Sequence, residues 1–235
     1  MEYTPYASKR VEWGIKGEEM LEEKILELKR EITGFAGIVE KMVDKSIKGL
    51  VNKDKDILDE VIRIDEPKVN NLEIEIDELC TTLIAQYAPK GKDLRIILMA
   101  MKMNNDLERI GDHAVNITQS SLSLIESPFV KPLNDIPKMS EAAVNMFKDS
   151  INAFVNEDPA LAKGVCERDN TVDDLRTKIM KELTLYMGKD PSTIERSLNL
   201  IRITGNLERI ADLSTNICED VIYLAEGRVI KHNKV

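Results

Sequence analysis

Aromatic residues are scarce in this 235-residue chain, 4% of the total, and histidine is nearly absent, with only His113 and His232. A core so short of rings must be filled by Leu, Ile, Val and Met, a mix that suits packed helices better than a sandwich or barrel. Two histidines leave no Ser/His/Asp or Cys/His set to assemble. The stretch "PKGKD" lacks the GxxxxGK[ST] spacing of a phosphate-gripping loop. The sequence therefore reads as a non-enzyme. The three cysteines, Cys80, Cys166 and Cys218, show no CxxC spacing and read as reduced, semi-buried residues of a cytosolic protein.

Long apolar runs are missing too. The most conspicuous, "IILMAM" from Ile96 to Met101, falls far short of the ~18 residues a membrane-spanning helix needs. The opening "MEYTPYASKRVEWGIKG" has neither the apolar core nor the cleavage site of a signal peptide. No basic stripe accompanies the net charge of −9, with 42 acidic against 33 basic residues, which argues against nucleic-acid binding. Such a balance suits a cationic partner, either a metal ion or a basic protein surface; solubility alone is the plainer reading.

What the chain does have is helical periodicity, twice over. Met20, Leu21, Ile25, Leu28, Ile32, Phe35, Val39, Met42 and Val43 recur at helical spacing between Lys16 and Val51, up to the polar break "NKDKD". A short helical stretch, Ile57 to Ile64, leads to "DEPKV", where Pro67 suits the first turn of a helix ending near Tyr87. A third helix is expected from Leu94 to about Leu124. "ESPFVKPLNDIPKMS" then places Pro128, Pro132 and Pro137 within ten residues, a spacing that marks a linker.

Beyond it the pattern restarts. Met42 aligns with Met146, Glu66 with Asp169 and Leu98 with Leu198, so the offset drifts from 104 to 103 to 100 residues, as if loops had been trimmed. The expected fold is all-α, two tandem, duplicated three-helix bundles. The first bundle would occupy residues 1–127, the linker 128–138, and the second bundle with a short basic tail 139–235.

Each third helix carries one acidic phrase, "DLERIGDHAVNI" from Asp106 and "NLERIADLSTNI" from Asn206. At about 100° per residue, Leu94, Met101, Glu108 and Asp112 share one face within about 40°, and so do Ile194, Ile201, Glu208 and Asp212. Leu107, Ile110, Ala114 and Ile117 point the other way, as do Leu207, Ile210 and Ile217. Like charges at i,i+4 destabilise a helix by roughly 0.2–0.5 kcal/mol, so a spacing kept in both copies calls for a reason. The second helices add Asp169 with Asp173, and the aligned Glu66 with Asn70. Four oxygen donors on neighbouring helices suit a hard cation, while acids in a first helical turn also suit the helix dipole; both readings stand. Neither "ERIG" nor "ERIA" supplies the histidine of an ExxH di-metal site, and the repeat has Leu213 where His113 stands.

The paired "LERIGD" and "LERIAD", with "KDLRIILMAMKM", the "KPLNDIP" linker and "NICEDVIYLAEGR", resemble the PhoU family of regulators of phosphate uptake, over about Leu21 to Arg228. The resemblance implies a cytoplasmic homodimer of two three-helix bundles. It implies metal ions, iron clusters or another hard divalent cation such as Mg, Mn, Ca or Zn. By matching position these would be held by Glu66, Glu108 and Asp112 in the first bundle, with Asn70 departing from the acidic pattern, and by Asp169, Asp173, Glu208 and Asp212 in the second. It also implies partners: the ATPase subunit of the phosphate ABC transporter and a phosphate sensor histidine kinase, with the membrane reached only through them. Two alternatives remain beside this adaptor, a metal-free helical scaffold and a carboxylate-bridged di-metal enzyme.

Overall fold

Residue spacing accounts for the first element. In α1 (Tyr6–Asn52) the residues Leu21, Ile25, Leu28, Ile32, Phe35, Val39, Met42 and Val43 are all buried, forming the stripe of an amphipathic helix. Met20, expected in that stripe, is exposed; one position before Leu21, it points about 100° away. The computed structural model describes residues 6–226, with side chains from 19 to 225. The basic tail with Arg228 and His232, and the side chains of the first eighteen residues, lie outside the described residues. Every regular element among the described residues is helical.

The turn that ends α1 recurs in the second half. Lys53 adopts φ 54° and Glu157 φ 52°, left-handed positions that glycine usually fills. Asp54 N–H donates to the Gly49 carbonyl and Lys53 N–H to that of Leu50, matched by Asp158 to Ala153 and Glu157 to Phe154. Both are Schellman ends. Asp54 and Asp158 then cap the next helices, accepting from Ile57 N–H and from Ala160 and Leu161 N–H respectively, each cap stabilising by about 1 kcal/mol.

After that turn the halves differ. α2 (Lys55–Glu60) passes into a π-turn, Val61–Asp65, and on into α3 (Glu66–Tyr87) without leaving the helix. Its counterpart α6 (Pro159–Lys189) is unbroken. The drop in offset from 104 to 103 falls across this turn. The extra residue is therefore absorbed inside a helix as an i→i−5 turn, and not in a loop as the sequence suggested. Lys45 spans the turn, reaching Glu60 at 2.8 Å and Asp65 at 2.7 Å. Deleting the exposed Ile64 should convert the turn to α-helix and keep the downstream register. The expected change in stability is about 1 kcal/mol or less, read by urea unfolding; loss of cooperative unfolding would refute the insertion reading.

α4 (Gly91–Ile125) closes the first unit; α5 (Asp135–Asn156), α6, a short 3₁₀ turn at Pro191–Thr193 and α7 (Ile194–Glu226) make the second. Helix α5 begins inside the expected linker, because Pro137 falls in its first turn, where a missing N–H costs nothing. Within each unit α1 packs on α3 and α4, and α5 on α6 and α7, while α4 meets α7 and α1 meets α5 between units. The α4–α7 contact runs antiparallel: Lys102 pairs with Asp220 at 3.1 Å and His113 Nδ1 lies 2.8 Å from Asn206 Oδ1. One apolar core therefore runs through both units.

Candidate metal centre

The α6–α7 seam shows how the acidic phrase is used. Val172 and Ala211 are fully buried between these helices, which places their neighbours Asp169, Asp173, Glu208 and Asp212 at the rim. Asp169 feels all three others: burial first, then Asp173, Asp212 and Glu208, push its carboxyl up to about 6. The second half of the sequence expectation thus converges. Two guanidiniums share the seam. Arg176 donates Nη1 to Glu208 at 3.3 Å, and Arg209 donates Nη1 to Asp212 at 3.0 Å.

The α3–α4 seam is tighter. A Cβ on Gly111 would lie 3.0 Å from Val69 Cγ1, where the second unit accommodates Ala211. Glu108 and Asp112 flank Gly111 along α4, and Glu66 and Asn70 flank Val69 along α3, so all four border the same close approach. Burial raises the Glu108 carboxyl, helped by Asp112 and by Glu73. Glu73 had not been singled out from the sequence. Its signal was there: Glu66, Asn70 and Glu73 fall at i, i+4 and i+7 on one helical face. The aligned position in the second unit is Arg176. The face shared by Leu94, Met101 and Glu108 is half-buried throughout, and Ile194 on its counterpart is exposed.

Both clusters offer oxygen donors, which fit a hard cation rather than a soft one. As the side chains stand, among the described residues no three His, Cys, Asp or Glu groups close round a single point. Gathering four donors at the second seam requires Glu208 and Asp212 to give up their arginines. The cysteines take no part in such a cluster. Cys80 and Cys218 are buried and Cys166 half-buried, all of them free, and burial pushes the Cys80 thiol up to about 12.

Against known proteins, the model of the PhoU domain matches residues 32–121 and again 136–221. The chain belongs to the PhoU family. The phosphate-specific transport system accessory protein PhoU homolog of Aquifex aeolicus is 37% identical, over 91% of this chain and 96% of that relative. PhoU homolog 2 of Thermotoga maritima is 35% identical over 90% of each chain. The crystal structure of PhoU from Pseudomonas aeruginosa superposes with a TM-score of 0.84 at 32% identity, covering 88% of this chain and 99% of that one. The phosphate transport system regulatory protein PhoU from Streptococcus pneumoniae gives 0.83 at 27% identity, over 90% and 99%. The two PhoU domains are the two helical units, and each carries one acidic seam. No helix among the described residues is long and apolar enough to cross a membrane.

Proposed function

We propose that this PhoU-family chain is a cytoplasmic regulatory accessory of phosphate uptake. It acts by contact, restraining the ATPase subunit of a phosphate transporter and reporting to a sensor kinase. A homodimer is the expected form, reaching the membrane only through these partners. The observation that supports the role is the tandem PhoU domain over most of the chain, shared with relatives named as accessory proteins of phosphate transport. The reading is of a non-enzyme; among the described residues the one histidine, His113, has its Nδ1 2.8 Å from Asn206 Oδ1 at the α4–α7 contact.

In this reading the acidic seams carry cations, iron or another hard divalent ion. Asp169, Asp173, Glu208 and Asp212 would hold one, and Glu66, Asn70, Glu108 and Asp112 the other. A bound cation supplies localised positive charge that relieves the carboxylate repulsion. The protein's part is to hold the oxygens across each helix seam and present the result on an outer face. A metal-free scaffold is favoured only at the second seam, where Arg176 and Arg209 already pair with the acids.

Elemental analysis of gently purified protein, beside Glu208→Ala/Asp212→Ala, tests the metal reading. Metal in the parent that falls by about half in the variant is expected if each seam holds a site. Capture of the transporter ATPase subunit before and after chelation tests the link to partners. Unchanged capture by stripped protein would sink the coupling.

A further inference from the structure

Of the aligned differences between the two seams, Asn70 in place of Asp173 favours the second, and three others act together in favour of the first. Where the second seam has Arg176, ion-paired to Glu208, the first has Glu73, facing Glu108. Where the second has Asn206, the first has Asp106, which lies 3.5 Å from the Arg109 guanidinium, a charge that also acts on Glu108 but is shared with Asp106. The aligned Arg209, with no acid at Asn206, turns instead onto Asp212 and Glu208, at 3.0 and 3.8 Å. The third difference is buried. Thr204 is satisfied, donating Oγ1 to the Ile201 carbonyl at 2.9 Å. Its counterpart Asn104 is fully buried and donates Nδ2 to the Glu73 carbonyl at 2.7 Å, but its Oδ1 has no partner.

A buried amide oxygen without a donor is costly to keep. Asn104 sits one turn before Glu108 on the same face of α4, with its amide against α3 at Glu73. Its amide is thus held at the α3–α4 seam, with the oxygen unpartnered. A divalent cation meets both demands, accepting the amide oxygen as a ligand and the carboxylates as counter-charge. The second seam offsets part of its charge from within, with guanidiniums on Glu208 and Asp212, while Asp169 still feels all three other acids.

We infer that the duplicated seams have diverged, and that the first is the tighter site for a hard divalent cation, with Glu73 and Asn104 Oδ1 joining Glu66, Glu108 and Asp112 as oxygen donors. This rests on the cation reading proposed above. The second seam binds the same ion more weakly, because Arg176 must be displaced first.

Titration of chelator-treated protein with Mn²⁺, following free Mn²⁺ by electron paramagnetic resonance, separates the possibilities. The parent should show a tighter and a weaker class of site. Glu73→Gln, nearly isosteric, should weaken the tighter class about ten- to a hundredfold and leave the weaker one alone. Arg176→Gln should strengthen only the weaker class, and Glu108→Gln should mark which class is the first seam. Thermal unfolding of each variant without metal shows that it is folded. If Glu108→Gln abolishes the tighter class while Glu73→Gln leaves it intact, the enlarged donor set is wrong and the cation reading stands. If the tighter class is lost through Asp169→Asn instead, the assignment to the first seam is wrong. If the parent binds no Mn²⁺, Ca²⁺ or Fe²⁺ at all, the cation reading itself fails.

Discussion

Gly49→Ala and Leu58→Ala are each expected to destabilise the protein clearly, and the double variant by much less than their sum. A Cβ on Gly49 would lie 2.6 Å from both Cγ and Cδ2 of Leu58 and 3.2 Å from the Asp54 carbonyl. Leu58 is fully buried and has nowhere to retreat, so the overpacked variant should lose about 1–3 kcal/mol. Leu58→Ala leaves a cavity and should cost about 2–5 kcal/mol. Together they recreate the second unit, where the aligned residues are Ala153 and Ala162, both fully buried. The duplicated fold thus packs one contact in two ways, as Gly with Leu and as Ala with Ala. Urea unfolding of the four proteins should give a favourable coupling of about 1–3 kcal/mol. Simple additivity would mean that the two side chains do not share the space.

Unfolding at controlled pH should show the charge excess of the second seam directly. Asp169 in the folded chain holds its proton up to about 6, against ~3.9 for an unfolded aspartate. The folded state therefore binds the proton first as pH falls. In chelator, stability should rise as pH drops from 7 towards 5, and the repulsive cost is fully present only above about 6. Asp169→Asn should stabilise the metal-free protein at pH 7, by something of the order of 1 kcal/mol once solvent screening at this half-exposed seam is allowed for, and should flatten the profile. The window must stop near pH 5. Asp135, lowered mainly by its hydrogen bond with Lys178, and Glu157, lowered by Lys92 and Lys29 against its own burial, both give up stability when more acid pH protonates them. A divalent cation competes with the proton for the same oxygens. At a hundred times its Kd it should add about 2.7 kcal/mol at pH 7, and less below 6. A metal-free protein that loses stability between pH 7 and 5.5 would contradict this account of the seam.

Much of this protein is written along the chain. Apolar spacing in α1 and the prolines after α4 are local features, and so is the repeated ERI(G/A)D phrase. The helix count, the duplication and the shared azimuth of Glu108 with Asp112 followed from them, because a helix sets the direction of each side chain by its position alone. Departures arose where a local rule has two outcomes. Pro137 reads as a breaker, yet a proline in a first turn is harmless, so α5 begins at Asp135. A one-residue slip between repeats reads as a loop change, yet the helix swallowed it as the π-turn before Glu66.

By itself, then, the sequence determined that there would be two helical units, each with a pair of carboxylates on one face of its last helix. Only the tertiary structure decided which groups those carboxylates meet. Val69 packed under Gly111 brings α3 against α4 so that Glu73 faces Glu108 and Asn104 is buried beside them. The packing of α6 on α7 gathers Asp169, Asp173, Glu208 and Asp212 and sets Arg176 among them. Periodicity fixes direction around one helix axis, whereas the distance between charges on two helices depends on the side chains wedged between them, and electrostatic energy depends on that distance.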